Sequence, residues 1–510
     1  MTMIGGEVQD SRAGAASERA DPQALRLDEP SGRWVVAAAV LGSGIAAVDA
    51  TVVNIALPAL GSDLHAGFSG LQWTINGYTL TLAALILLGG SLGDRYGRRR
   101  IFVLGTLWFA VASALCALAP NIETLVAART LQGIGGALLT PGSLAIIAAS
   151  FTERDRAKAI GAWSGFGGVA SAIGPFIGGY LVAGPGWRWV FLINLPLAAI
   201  VVAISQRHVP ESWDPDAVPH LDLLGAALGA LGLGGVTYAL IAAGGGWSAS
   251  TLSATVLGLA GLVGFVLNER RSPYPMLPPH IFANHQFTAA NIVTFVVYAA
   301  LGGVFFFLVV DLQVVAGFSP LVAGTALLPV TVIMLVLSAR AGALAARIGP
   351  RLPMSVGPFF AACGLLLLLR VGPGGSYVAD VLPAVTLFGL GLALIVAPLT
   401  TIVLAAAEAR HAGIASGINN AVARAAGLLA VAVLPALAGI SGDDYYHPQT
   451  FAAGFRIAII MCSALLALGG LLAAIAIRNP SQTRKMDLPD RRHYCAIDGP
   501  PIHAVSQTAQ

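Results

Sequence analysis

The sequence has few charged residues for its length. Only 10% of the 510 residues are Asp, Glu, Lys or Arg, whereas 56% are hydrophobic, and a soluble domain is about a quarter charged. The net charge of +3 is small and the basic residues are scattered, which argues against a nucleic-acid partner. The four cysteines have neither metal-ligand spacing nor the pattern of a disulfide framework. We therefore expect a membrane protein without a metal site.

Motifs of enzymes and of ATP-driven pumps are also absent from the sequence. It contains no G-x-x-x-x-G-K-[ST] phosphate loop and, in its apolar runs, no H-E-x-x-H. No polar segment is long enough to host an enzyme domain. All nine histidines fall in expected loops or tails, so none offers a proton relay in the core. We predict a protein that is not an enzyme, binds no cofactor and does not use ATP.

Long apolar runs dominate what is present. Fourteen of them reach the length of about 20 residues that a helix needs to cross a bilayer. They lie near residues 34–58, 71–92, 101–119, 123–150, 159–183, 189–205, 221–243, 250–268, 287–311, 321–346, 353–371, 378–405, 412–440 and 453–477. The predicted fold class is an all-α polytopic membrane protein with 14 transmembrane helices.

Basic residues alternate between the loops that connect these spans. Loops on one side carry fourteen of them, whereas the other side has only Arg188 and Arg370. The rich side comprises Arg95, Arg98, Arg99, Arg100, Arg154, Arg156, Lys158, Arg207, Arg270, Arg271, Arg340, Arg347, Arg351 and Arg410. Because cytoplasmic loops carry the excess of Lys and Arg, we predict that both termini are cytoplasmic and that the protein spans the cell membrane.

A repeated loop divides the chain into two halves. GSLGDRYGRR (90–99) follows the second span and GALAARIGPR (342–351) follows the tenth, with Gly, Leu, Arg, Gly and Arg at identical spacing. Six spans then lie on each side of spans seven and eight, as in many secondary transporters. The predicted segments are a disordered tail (1–33), a six-helix half (34–205), a linker with two inserted helices (206–286), a second six-helix half (287–477) and a cytoplasmic tail (478–510).

Several stretches, in order along the chain, resemble one family. The loop at 90–99, LVAARTLQGIGGA (125–137) and GVASAIGPFIGG (168–179) resemble signatures of the major facilitator superfamily. VDATVVNIALP (48–58) and LQWTINGYTL (71–80) resemble its fourteen-span drug:proton antiporter group, of the multidrug-resistance type. The resemblance covers most of the chain and implies two six-helix halves that alternate access to a central cavity.

Asp49 lies inside an apolar run, where a charge costs about 2.5–3.5 kcal/mol. Asp49 lies eight residues before Leu57, near the expected end of span one, and Arg129 lies eight residues after Asn121, near the expected start of span four. The two side chains should therefore lie at similar depth. We predict that Asp49 exchanges the coupling proton and that Arg129 sets its proton affinity. A purely structural ion pair is the alternative.

Two glycine-rich stretches are candidate moving parts. The expected cytoplasmic gate loop comprises Gly90, Gly93, Asp94, Arg95, Gly97, Arg98 and Arg99. Its aspartate should accept hydrogen bonds from a helix N-terminus of the other half or from a nearby arginine, and the repeat has Ala346 there. The alternative is that the arginines only orient the helices. The span-five antiporter motif comprises Gly168, Gly174, Pro175, Gly178 and Gly179, and forms either a seal between the halves or ordinary helix packing.

Asn76 and Asp311 are the candidate substrate-cavity residues. Asn76 lies among the aromatic residues that open span two, and such surfaces suit bulky amphipathic ligands. Asp311 occupies a position where the resembling group more often has an uncharged residue. It either contacts a cationic substrate or, as a boundary residue, reaches the outer water.

These observations predict a proton-coupled secondary transporter that exports hydrophobic or amphipathic small molecules, including antibiotics, and that acts as a monomer in the lipid bilayer. A dedicated exporter of one endogenous metabolite, such as an antibiotic or siderophore, is the alternative. A proton symporter and a non-transporting receptor on the same fold are further alternatives. The span-five motif argues against the first of these, and the presence of Asp49 and Asp94 argues against the second.

Overall fold

A computed structural model gives the fold for residues 25–215, 217, 220–244, 246–406 and 412–479. Most of both expected tails and Arg410 lie outside the described residues, as does the side chain of Arg154.

Sixteen α-helices make up the described part of the chain. The first nine are α1 (Pro30–Asp63), α2 (Phe68–Tyr96), α3 (Arg98–Ala117), α4 (Ile122–Ser150), α5 (Glu153–Ala183), α6 (Trp189–Leu192), α7 (Asn194–His208), α8 (Leu223–Ala243) and α9 (Ala249–Arg271). The others are α10 (His285–Val314), α11 (Pro320–Thr325), α12 (Leu328–Ile348), α13 (Arg351–Leu367), α14 (Leu382–Ala405), α15 (Ala412–Leu437) and α16 (Pro448–Ala476).

The helices form 14 units that are long and apolar enough to cross a membrane, which confirms the predicted number. Two spans are each built from two helices, α6 with α7 and α11 with α12. Short 3₁₀ or π-helical turns also occur at Pro279–Ala283, Leu368–Arg370, Tyr377–Val381 and Asp444–Tyr446. Many large apolar side chains face outward, as expected for a surface in contact with lipid.

The first helix is longer than the sequence predicts. It begins at Pro30 and ends at Asp63, rather than near residues 34 and 58. Residues 25–33, which we assigned to the N-terminal tail, include the first turn of α1 and an isolated parallel bridge between Leu25 and Phe151. The internal Pro58 does not end the helix, because neighbouring helices compensate the loss of a backbone donor in membrane spans.

Most packing lies within two groups of helices. Helices α1 to α7 pack mainly on one another, and α10 to α16 do the same. The inserted helices α8 and α9 form a tight hairpin, in which a Cβ at Gly235 would lie 2.7 Å from the Cα of Gly258. Helix α8 also packs on α2 and α15, so the hairpin lies along the seam between the two groups.

The two groups are joined at one end of the bundle. We call the end with the turns at Gly97 and Gly349 the basic end, and the opposite end the far end. At the far end, the backbone N–H of Phe68 donates to the carbonyl of Gly442 (2.7 Å) and the Tyr445 hydroxyl donates to the carbonyl of Ala66 (2.8 Å). Burial raises the pKa of Tyr445, so its hydroxyl remains a donor at neutral pH.

The basic end is more open along α5. A Cβ added at Gly161, Gly165 or Gly168 in the first half of this helix would meet no atom within 4 Å. Gly179, near the other end of α5, touches α11 closely. The two halves are therefore in contact at the far end, whereas the first half of α5 has free space at these three glycines.

Candidate functional site

Asp49 lies at the centre of a buried polar network. Its side chain is 0% exposed, and that of Arg129 is 1% exposed. Arg129 Nη1 donates to Asp49 Oδ2 over 2.6 Å, which joins α1 directly to α4. The structure therefore brings together the two residues that the sequence placed at similar depth. Asp49 is 14 residues from the end of α1, because the helix extends beyond its expected limit.

Three further side chains complete the network, and the sequence reasoning missed all of them. Gln132 Nε2 and Asn194 Nδ2 donate to Asp49 Oδ1 over 2.9 and 3.0 Å. Both amides also donate to Ser113 Oγ, at 2.6 and 3.1 Å. Their signal was available, since Gln132 lies one helical turn after Arg129 and Asn194 opens α7 inside an apolar stretch.

The position of the Arg129 side chain is fixed from several directions. Its Nε donates to the carbonyl of Thr74 on α2 over 3.1 Å, and its Nη1 donates to Gln132 Oε1 over 2.5 Å. Its guanidinium lies 4.4 Å from the ring centroid of Tyr78, a cation–π contact. Five helices of the first half therefore meet in one network: α1, α2, α3, α4 and α7.

The bonding pattern around Asp49 suits an ionised carboxylate. Its two oxygens accept three hydrogen bonds, from Arg129, Gln132 and Asn194. A protonated carboxyl group would carry a donor of its own and would need an acceptor in place of one of these partners. None of these three partners accepts a hydrogen bond from Asp49, so an added proton would find no acceptor among them.

The span-five motif lies where α5 meets α1 and α11. A Cβ at Gly174 would lie 2.1 Å from Thr51 Oγ1, and one at Gly178 would lie 2.9 Å from Val52 Cγ1. A Cβ at Gly179 would lie 2.6 Å from both Leu321 Cα and the Pro320 carbonyl oxygen. These three glycines permit close contact between the helices.

The two remaining residues of that motif, Pro175 and Gly168, have different surroundings. The Pro175 carbonyl lies against Gly324 of α11, where an added Cβ would approach it to 2.3 Å. Gly168 has no neighbour within 4 Å of an added Cβ. The motif therefore contacts the second half at Pro175 and Gly179 and contacts α1 at Gly174 and Gly178, whereas Gly168 has free space beside it.

The loop at 90–99 is organised around an ion pair and a turn. Asp94 Oδ1 accepts hydrogen bonds from Arg98, with 2.8 Å to Nε and 2.7 Å to Nη2. Of the two partners expected for this aspartate, the structure therefore has the nearby arginine. Gly97 has φ +111°, in the left-handed region that favours glycine.

The linker after α7 binds this loop, although the sequence reasoning treated it as a simple connection. Glu211 Oε1 accepts the backbone N–H of Arg99 at the start of α3 over 3.1 Å, and the carboxylate also pairs with the Arg99 side chain (3.5 Å). The carbonyl of Ser212 accepts the N–H of Arg98 over 2.8 Å. Glu211 thus acts as a capping residue for α3 from outside that helix.

The second half repeats this capping arrangement. Gly349 has φ +88°, and Asn479 Oδ1 accepts the backbone N–H of Arg351 over 3.1 Å. Asn479 follows the end of α16 by three residues, as Glu211 follows the end of α7. The repeat therefore extends beyond the loop to the residue that caps the helix after it.

The two candidate cavity residues are both buried. Asn76 is 0% exposed, and neither of its side-chain amide atoms has a hydrogen-bond partner. Asp311 is 1% exposed and its Oδ2 lacks a partner. In this conformation Asp311 therefore does not reach water, which corrects the boundary interpretation. Among the described residues, no group of three or more His, Cys, Asp or Glu side chains could hold a metal ion.

Comparison with known proteins identifies the family. The model of the Major Facilitator Superfamily matches residues 39–431. The chain belongs to the major facilitator superfamily. It is 35% identical over 446 residues to the methylenomycin A resistance protein of Bacillus subtilis, covering 87% of this chain and 94% of that protein. The predicted family and fold class are thus confirmed.

Other relatives of this superfamily member are named as exporters. The tetracenomycin C resistance and export protein of Streptomyces glaucescens is 35% identical, with 82% of this chain and 80% of the relative covered. The probable actinorhodin transporter of Streptomyces coelicolor is 36% identical, with 79% and 72% covered. Among solved structures, the peptide transporter POT in complex with sulfate has a TM-score of 0.64 at 16% identity, with 89% and 96% covered.

Proposed function

We propose that this protein is a proton-coupled exporter of hydrophobic or amphipathic small molecules, and that Asp49 carries the coupling proton. The observation that supports this proposal best is the buried contact of Asp49 with Arg129, at 2.6 Å, inside a network whose donors all favour the ionised carboxylate. An ionisable residue buried within a membrane span is expected to have a functional role. The relatives named for antibiotic resistance and export support the choice of cargo.

Sidedness follows from the positive-inside rule. The basic end carries Arg95, Arg98 and Arg99, so we place it in the cytoplasm and the far end outside. The described conformation then faces the cytoplasm, which is the state that an exporter loads. We place the protein in the cell membrane with both termini in the cytoplasm. One copy is the proposed working unit, since both halves come from one chain.

A mechanical route connects Asp49 to the seam between the halves. Thr51 and Val52, directly after Asp49 on α1, contact the span-five glycines. The next residues of α5, Pro175 and Gly179, contact α11 of the second half. Proton binding changes the partners of Asp49, so α1 shifts relative to α4, and we propose that α5 transmits this shift to the seam.

The cycle follows from these contacts. Cargo enters from the cytoplasm while Asp49 is ionised and held by Arg129. Release of cargo outside is followed by protonation of Asp49, which neutralises the carboxylate and favours return to the inward state. Proton release to the cytoplasm restores the pair with Arg129.

A dedicated exporter of one metabolite is the second candidate. The supporting observation is that two relatives are named for single antibiotics, actinorhodin and tetracenomycin C. The same proton site serves either candidate, and only the breadth of accepted cargo separates them.

The test uses everted membrane vesicles with a pre-formed pH gradient. Cationic, neutral and anionic amphipathic drugs are added to vesicles that contain the wild type or Asp49→Asn. We expect drugs to dissipate the gradient through the wild type and not through this variant. Asp63→Asn is the matched control, because Asp63 lies on the same helix but is half-exposed and pairs with Arg188 at the far end. Undiminished exchange by Asp49→Asn contradicts the proposal.

A further inference from the structure

Arg424 is a cation in the middle of a membrane span. It is residue 13 of the 26 in α15, and its side chain is half-buried. None of the ion pairs found among the described residues includes it. Because a charge at this depth is costly, an intramembrane arginine calls for a partner.

The depth of α15 is fixed by its antiparallel contacts with α2. Gln72 Nε2 donates to the carbonyl of Val431 over 2.8 Å. Four turns further along α2, Leu87 Cδ2 lies 3.0 Å from the position of a Cβ on Gly417. The two contacts are separated by nearly equal lengths of both helices, so the register between them is defined.

This register places Arg424 level with Tyr78 of α2. Helix α15 also contacts α10, because an added Cβ on Gly302 would lie 2.6 Å from Gly427 Cα. Tyr298 lies one turn before Gly302, and Arg424 lies one turn before Gly427, so Tyr298 and Arg424 are at the same level. Arg424 lies two helical turns from both Gly417 and Val431, so it shares the face of α15 that contacts α2. Arg424 therefore faces the space between α2 and α10, where the two halves meet.

The charges that the described residues place in this layer do not cancel. The ring of Tyr78 stacks on the guanidinium of Arg129, and Arg129 is paired with Asp49. Arg424 therefore adds a positive charge to an already neutral pair. Asp311 does not compensate it, because it lies 13 residues beyond Tyr298 on α10, about 20 Å along the axis toward the far end.

An amide without hydrogen-bond partners lies on α2, about one helical turn from the level of this cation. Asn76 is one turn after Gln72, on the face of α2 that meets α15. Its amide is buried and both polar atoms lack partners. A buried amide without partners is unfavourable, so a ligand oxygen that accepts from Asn76 relieves a cost already present.

We propose that Arg424 binds the carboxylate of an amphipathic organic acid, with Asn76 as a neighbouring donor. This inference rests on the proposed export function and narrows its cargo to organic anions. A guanidinium suits a carboxylate because its parallel N–H groups can bind both oxygens. A lipophilic cation would meet a layer that already carries excess positive charge.

The test measures equilibrium binding to purified protein without any proton gradient. The probes are 1-pyrenebutyrate, its uncharged methyl ester and the lipophilic cation ethidium, followed by fluorescence. We expect the wild type to bind the acid about tenfold or more tightly than the ester, as a charge-assisted hydrogen bond implies. Arg424→Gln should abolish this preference, and Arg424→Lys should retain part of it. Size-exclusion chromatography checks that each variant is folded.

The comparison of acid with ester in the wild type needs no variant, so misfolding cannot obscure the outcome. A wild type that binds the acid no better than the ester, or that binds ethidium in preference, overturns the proposal. An unchanged preference in folded Arg424→Gln also overturns it. Because no gradient is present, failure of proton exchange refutes the proposed function alone, and failure of acid binding refutes this inference alone.

Discussion

Replacing Asp49 by Asn should destabilise the protein and uncouple it. The substitution removes the anion 2.6 Å from Arg129 and leaves a guanidinium that is only 1% exposed without a counter-charge. Breaking a buried ion pair in this way costs about 3–5 kcal/mol. Arg129 keeps the Thr74 carbonyl and Gln132 Oε1 as acceptors, which places the cost nearer the lower value.

The double variant Asp49→Asn with Arg129→Gln separates stability from coupling. Removing both charges leaves an uncharged network, so we expect the loss of stability to be largely recovered and the two single effects not to add. Thermal unfolding followed by tryptophan fluorescence should show lower midpoints for both single variants and a midpoint near the wild type for the double variant.

Transport by the double variant then distinguishes a coupling role from a structural one. If Asp49 carries the proton, the double variant is folded but does not exchange protons for drugs in everted vesicles. If it exchanges them at the wild-type rate, Asp49 is only a structural partner of Arg129 and the coupling site lies elsewhere. If the single variant Asp49→Asn unfolds at the same temperature as the wild type, the argument that an unpaired buried charge destabilises the protein is refuted.

Two further predictions concern the seam and the capping residue. Gly179→Val should weaken the contact between the halves at the far end, because an added Cβ would lie 2.6 Å from Leu321 Cα. Distances between spin labels placed across the far end should therefore lengthen. The control is Gly168→Ala, whose Cβ meets nothing within 4 Å and which should leave these distances unchanged. Glu211→Ala should cost about 0.5–2 kcal/mol by removing the cap on the Arg99 N–H. Glu211→Gln keeps an acceptor for that N–H and loses only the ion pair, so it should cost about 0–1 kcal/mol. If both variants unfold at the same temperature, the cap does not contribute to stability.

The lengths of the apolar runs and the positions of the charged residues were sufficient to predict the membrane spans. Continuous apolar runs of about 20 residues satisfy their backbone inside a bilayer as helices, so these runs predict both the class and the number of spans. Their limits were less accurate, because α1 continues to Asp63 by packing against neighbouring helices and not by its own hydrophobicity.

The partners of Asp49 show where prediction from sequence stopped. A charge in an apolar run identified Asp49 and Arg129, since the cost of burial makes each of them conspicuous. Gln132, Asn194 and Ser113 are uncharged and cost less to bury, so the spacing of Gln132 from Arg129 and the apolar surroundings of Asn194 gave only a weak signal. Only the crossing of α3, α4 and α7 brings their side chains to one point.

The sequence by itself determined what the membrane imposes on each segment: fourteen helices, a repeated loop, and buried charges that need partners. These properties depend on local hydrophobicity and spacing. Tertiary structure alone decided that Glu211 and Asn479 cap equivalent helices, that the far end is closed, and that Arg424 is level with Tyr78. Those properties depend on the register between helices distant in sequence, which is set by packing across the bundle and not by any local pattern.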